Sequence, residues 1–280
     1  MAMHPYVILD VFTDTPLEGN PLAVFTRGQD IPGDRLQAIA REMNLSETVF
    51  VLPPEGEGTA RVRIFTPGIE IPFAGHPTLG TAYHIAERDG LDRVVLETGS
   101  GPVAVEFERV DGRLVSGRMR QPIPTWRPYG RAAEILAALG ADGSGLPVEL
   151  YDNGPKFVYV ALESEERVAA LAPDLGALAG HGVVGVVCFA GSGARWKSRV
   201  FSPGAGVPED PATGSAAGPL AVHLVRHGRV AYGQEIRIAQ GAEIGRPSTL
   251  YARVLGEGDR IDAVEVAGSA VPVARGEFLA

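Results

Sequence analysis

Short apolar runs bounded by Gly, Pro or Asp dominate this chain. Tyr6–Phe12, Pro21–Phe25, Glu47–Leu52, Ala60–Thr66, Val94–Thr98 and Gly101–Glu108 are rich in Val, Ile and Phe, which predicts strands. Asp34–Met43 differs. There Leu36, Ile39, Ala40 and Met43 recur at three- and four-residue spacing, the signature of a helix with one apolar face. The second half has the same rhythm. Glu149–Tyr151 and Lys156–Leu162 flank Asp152-Asn153-Gly154-Pro155, which is strong turn chemistry. Val183–Ala190, Lys197–Phe201, Leu250–Val254 and Ile261–Val266 read as further strands, and Arg131–Leu139 and Glu165–Leu171 as helices.

One phrase is written twice, close to half the chain apart: RIFTPGIEIP from Arg63 and RVFSPGAGVP from Arg199. In each copy a strand ends, a loop follows, and a small-residue helix begins. The first such helix is Pro77–Arg88, closed by Asp89-Gly90; the second is Ala216–Arg226, closed by His227-Gly228. Ala82-Tyr83-His84-Ile85 matches Ala221-Val222-His223-Leu224 in register. Both helices are apolar on most sides, so each is expected to be buried inside a curled sheet. Strand, loop, helix and stop recur in order, which points to an internal duplication. The proline-rich stretch from Gln121 to Pro128 is the natural boundary.

The duplicated loops carry the candidate chemistry. Pro77 at a first helical position makes His76 the expected N-cap of one helix, and Ser215 the expected N-cap of the other. Helix starts behind Gly75 and Gly214 offer backbone N–H groups suited to an anion, such as a small carboxylate. His76 can exchange a proton near neutral pH. Asp210 stands just before the second helix, and Glu47 opens an apolar strand, where burial is expected to raise its pKa and suit it to acid and base work in turn. Taken singly, His76 fits an ordinary cap, Asp210 a solvated loop acid and Glu47 a surface acid. The paired arrangement favours chemistry.

Composition narrows the class. A net charge of −9 and a pI near 5.2, with no run of like charges, argue against nucleic acid as a partner. Val183–Ala190 is far too short to span a bilayer. The N-terminus does not read as a signal peptide, and one cysteine, Cys188, permits no internal disulfide framework. A cytoplasmic protein without membrane contact is expected. His223 and His227 have metal-ligand spacing but no glutamate between them as in HExxH, so no metal is assigned. Gly99-Ser100-Gly101 and Gly191-Ser192-Gly193 read as tight turns rather than nucleotide loops.

The stretches DVFTDTPLEGNPLAVF, REMNLSETVFV, RIFTPGIEIPFAGHPTLGTA, QPIPTW, DNGPKFVYV, RVFSPGAGVPEDPATGSAAGPLAVHL and AQGAEIGRPS together resemble the PhzF-like family, phenazine-biosynthesis isomerases with the diaminopimelate epimerase fold. The resemblance implies an α+β fold of two pseudo-symmetric lobes, each a curled, mostly antiparallel sheet around a central helix. The lobes are expected at 1–122, with strand 270–280 a candidate to complete the first, and at 123–269, with the site in the cleft between them. It further implies a cofactor-free isomerase, commonly a homodimer, that moves a hydrogen around the ring of trans-2,3-dihydro-3-hydroxyanthranilate to give a ketone. Glu47 matches the glutamate that shuttles the proton. His76 and Asp210 match groups that orient the substrate and assist transfer, and Gly75, Gly214 and Ser215 match the substrate-binding loops. A sibling isomerase or epimerase acting on another amino or hydroxy acid, or a non-catalytic binder of small carboxylates, would use the same residues. Related epimerases carry a cysteine before the glycine of each loop. Here Ala74 and Thr213 stand there, which excludes a two-thiol mechanism, and Cys188 is expected to be core packing.

Overall fold

The apolar runs of the first half become strands of one sheet. The computed structural model describes residues 2–279, in two units: the residues up to Arg120 together with those from Ala267 onward, and Gln121–Val266. In the first unit β1 (Met3–Val11) and β2 (Asn20–Phe25) pair antiparallel. Helix α1 (Leu36–Met43) then leads to β3 (Glu47–Leu52), which lies parallel to β2. β4 (Ala60–Phe65) pairs antiparallel with β3. On the far side of β4 lie two partners at opposite ends: the short β5 (Glu70–Ile71) and, after helix α2 (Gly75–Asp89), the parallel β6 (Arg93–Thr98). β7 (Gly101–Val110) and β8 (Arg113–Gln121) continue the sheet antiparallel.

The sheet curls around α2, which packs against β1, β2, β3, β6 and β7. From Gly75 to Ala82 every residue of the helix is buried, as a helix without a charged face requires. A Cβ at Gly80 would come within 2.7 Å of Leu22 and Val11, so only glycine lets the helix approach the sheet there. The outer face is closed by α1, whose Leu36 and Ile39 pack on Phe25, Phe50 and Phe65. Burial of such side chains contributes roughly 1.5–3 kcal/mol each.

The second unit repeats this plan. β9 (Thr125–Pro128) and α3 (Ala132–Leu139) precede the antiparallel pair β10 (Glu149–Asp152) and β11 (Lys156–Ala161). The short helices α4 (Glu165–Ala169) and α5 (Leu175–Ala179) lead to β12 (Gly185–Ser192), parallel to β11. β13 (Arg195–Ser202) pairs with β12, and carries β14 (Val207–Asp210) at one end and the parallel β15 (Ile236–Gln240) at the other. Helix α6 (Gly214–Arg226) sits between β14 and β15 in the chain, as α2 sits between β5 and β6. β16 (Ser248–Glu257) pairs with β15 and packs on α6, and β17 (Arg260–Gly268) follows. Cys188 is fully buried with Val158, Val186 and Phe201 under α3 and α5, and burial pushes its thiol pKa up.

The duplicated Arg-x-Phe phrase has one structural meaning in both units. Arg63 forks onto Glu70 of β5 at 2.7 and 2.6 Å, and its guanidinium lies over the Phe65 ring. Arg199 forks onto Glu209 of β14 at 2.9 and 2.7 Å over the Phe201 ring. Each arginine ties its strand to the loop that leads into the buried helix. The paired carboxylate geometry suits a guanidinium and not an ammonium.

The units differ in the strand that covers their first edge. In the second unit β9 pairs with β10. In the first, the strand on β1 is β18 (Ala270–Leu279), antiparallel from Met3↔Leu279 to Val11↔Ala270.

Candidate active site

Glu47 is the first residue of β3 and keeps 17% of its side chain exposed. His76 is the second residue of α2 and is almost wholly buried. Sheet and helix bring them together, with His76 Nε2 3.4 Å from Glu47 Oε2. On the other side of the ring, Asn20 Nδ2 lies 3.3 Å from His76 Nδ1. An amide NH2 can only donate, so Nδ1 accepts and the imidazole proton sits on Nε2, facing Glu47. Burial keeps this ring neutral, pushing its pKa down to about 3. The arrangement is a partly exposed carboxyl group beside a fixed, neutral N–H donor. Asn20 was not singled out from the sequence. Its signal is an asparagine at the end of the Gly19 turn, where φ is +66°, and nothing local links it to His76.

The helix starts lie further upstream than the sequence suggested. Ala74, not His76, is the N-cap of α2, and Thr213, not Ser215, is that of α6. The reason is that no N–H of a first helical turn has an intrahelical acceptor, so Pro77 is tolerated as third residue as well as first. Gly75 and His76, like Gly214 and Ser215, therefore lie inside the first turn. Their N–H groups point away from the helix body, as an anion site requires.

In the second unit Asp210 ends β14 and is half-buried. Thr213 Oγ1 donates to Asp210 Oδ2 at 2.6 Å. Gln240, at the end of β15, donates from Nε2 to the Asp210 carbonyl at 2.8 Å and to Thr213 Oγ1 at 3.0 Å. Its Oε1 accepts from Ser198 Oγ at 3.3 Å. A Cβ at Gly241, where φ is +81°, would meet the Pro211 carbonyl at 2.5 Å, so glycine is required for β15 to turn beneath the loop. Gln240 is thus the clamp that shapes the Asp210–Thr213 loop. Gln240 was not singled out in the sequence, because its partners lie 27 to 42 residues away in the chain.

His223 and His227 meet a carboxylate after all, but from another element. Glu149 Oε2 lies 3.2 Å from His223 Nδ1 and 3.1 Å from His227 Nε2, with Arg226 Nη1 at 2.7 Å on the same oxygen. The guanidinium, itself 4.2 Å from the Trp126 ring centre, already supplies the positive charge that Glu149 needs. Burial opposes ionisation of Glu149, but hydrogen bonds from Arg226, His227 and Tyr151 outweigh it and hold its pKa near 2. His223 is lowered to about 4 by burial and by His227.

These depressed histidines set an acid limit to stability. Each binds a proton more readily unfolded, near the ordinary histidine value of 6.5, than folded, at about 3 for His76 and about 4 for His223. Their contribution is therefore complete above pH 6.5 and is lost as pH falls towards 3–4. Two units below its unfolded value, His76 alone costs roughly 2–3 kcal/mol. Melting temperature is expected to fall steadily between pH 6.5 and 4.5, and less steeply in His76→Gln. An equal slope in both proteins would contradict the assignment.

Residues 9–276 match the family described as phenazine biosynthesis-like protein, PhzC-PhzF. The chain belongs to this family. A trans-2,3-dihydro-3-hydroxyanthranilate isomerase of Pseudomonas aeruginosa is 55% identical, over 98% of this chain and 99% of that protein. One from Pseudomonas fluorescens is 52% identical, over 99% and 100%. Among solved structures, a Bacillus anthracis phenazine biosynthesis protein of the PhzF family superposes with a TM-score of 0.88 at 25% identity, covering 100% of both chains. Within this PhzF-type fold, Ala74 and Thr213 cap the two buried helices, so neither helix start carries a thiol. Among the described residues no helix is long and apolar enough to cross a membrane.

Proposed function

We propose that this protein isomerises trans-2,3-dihydro-3-hydroxyanthranilate by general acid/base catalysis, without a cofactor. The observation that carries the reading is the 55% identity, over nearly the whole of both chains, to an enzyme of that name. The pair Glu47–His76 supplies the chemistry. The Glu47 carboxylate takes a proton from a ring carbon and, now an acid, returns it at another. The Nε2–H of His76 faces the Glu47 carboxylate before the first transfer and after the second, without itself becoming charged. Gly75 in α2, and Gly214 with Ser215 in α6, each offer first-turn N–H groups that suit a carboxylate. Asp210, held by Thr213, serves the same reaction by orienting the polar substituents of the ring. The same reading makes the protein a cytoplasmic homodimer.

The test is loss of the substrate's ultraviolet band with the purified protein, with Asp210→Asn alongside. Consumption by the wild type, slowed roughly tenfold or more in the variant, is the expected result. No consumption by the wild type overturns the substrate assignment. Equal rates remove Asp210 from the reaction.

A further inference from the structure

Helix α6 contains a proline, Pro219. Proline has no N–H to give to the carbonyl four residues back, which here is that of Ser215. A buried carbonyl without a donor is costly, so another group must supply one. Asn153, in the turn between β10 and β11, does so: its Nδ2 lies 3.0 Å from Ser215 O. Asn153 is itself only 5% exposed. Since a carbonyl oxygen only accepts, the partner is the amide NH2 and not Oδ1. The neighbouring carbonyls are held by other side chains. Gln121 Nε2 donates to Gly214 O at 2.8 Å, and Tyr159 Oη to Ala216 O at 2.8 Å.

The first unit provides the contrast. Counting from the glycine that opens each helix, Gly80 of α2 stands where Pro219 stands in α6. Gly80 retains its N–H for the His76 carbonyl. Asn20, the first residue of β2, contacts the His76 ring. The duplicated plan has thus been put to two uses: an asparagine that fixes a ring, and an asparagine that fixes a peptide.

We propose that Asn153 is a positioning residue, replacing the helical hydrogen bond that Pro219 removes and thereby fixing Ser215 towards the substrate. Gln121 holds the peptide plane before Ser215 and Asn153 the one after it, so the direction of the Ser215 side chain and N–H is set from both sides. The positioning role rests on the proposed function; the exchange of hydrogen bonds does not.

A double-mutant cycle tests it, with thermal melts and steady-state kinetics on the full chain. Asn153→Ala is expected to lower the melting temperature by roughly 5 °C, by leaving Ser215 O without its donor. In a Pro219→Ala background the helix regains an N–H, so the same change should cost less than about half as much. Asn153→Asp, which keeps the volume and removes the donor, should couple in the same way if the alanine variant does not fold. Kinetically, Asn153→Ala should raise KM about tenfold more than it changes kcat, and Pro219→Ala should restore most of the loss. A simple structural role would not give that split or that rescue. Additive thermal shifts overturn the proposal, and so does an unchanged KM in a folded Asn153 variant of an active enzyme. If the wild type does not turn over the substrate, the proposed function fails, while the thermal cycle still decides whether Asn153 replaces the missing bond.

Discussion

Glu47→Gln is expected to lower kcat for trans-2,3-dihydro-3-hydroxyanthranilate by roughly 10²–10⁴-fold, while KM stays within about threefold. Glutamine preserves the shape of the side chain, and its carbonyl can still face the Nε2–H of His76, 3.4 Å from the carboxylate oxygen it replaces. What it lacks is the ability to take up a proton and give it back. The loss should therefore fall on the chemical step. Turnover in heavy water reads the step directly, because a carboxyl group that remains 17% exposed can exchange its proton with solvent before returning it. Deuterium should enter the wild-type product. A variant within tenfold of the wild type would remove Glu47 from the proton path, whatever the fold.

Arg199→Met is expected to destabilise the protein by about 3–5 kcal/mol, whereas Arg63→Met should cost no more than about 1 kcal/mol. The two arginines occupy matching places in the duplicated phrase and make matching forks, but their surroundings differ. The side chains of Arg199 and Glu209 are 9% and 10% exposed, those of Arg63 and Glu70 29% and 43%. Arg199 Nη1 also donates to the carbonyls of Ala169 at 3.0 Å and Leu171 at 2.7 Å, closing the end of α4. Removing it strands a buried carboxylate and two carbonyls at once. Removing Arg63 leaves groups that water can reach. Urea titration of both variants decides the matter, and equal losses would mean that burial is not what separates the two copies. Because Glu209 adjoins Asp210, surviving Arg199→Met protein should also have impaired turnover, which Arg63→Met should not.

What could be read in advance was whatever repeats locally. The Arg-x-Phe strand ends, the small-residue helices and their glycine stops recur in fixed order, so the duplicated plan was visible without a structure. His76 and Asp210 stood out as candidates because each lies beside such a landmark, and Glu47 because it is an acid opening an apolar strand. The strand β8 was not, because Arg113–Gln121 mixes charged residues with a glycine, Gly117, packed against Phe107 and Leu79, and so has no clean alternation. Nor were Asn20, Asn153, Gln240 and Glu149. Each is an ordinary polar residue in its own segment and acquires meaning only from a partner 27 to 78 positions away. The misplaced helix caps have a narrower cause: proline marks the first turn of a helix without saying which residue of that turn it is.

The strand β18 on the edge of β1 has a consequence for synthesis. The ribosome makes β1 to β8 first, yet that sheet lacks its edge strand until residues 270–279 have emerged. The second unit, made later, holds all its strand pairings from β9 to β16 within one continuous stretch. The sheet bearing Glu47 and His76 therefore waits, with its β1 edge uncovered, until the whole of the second unit has been made.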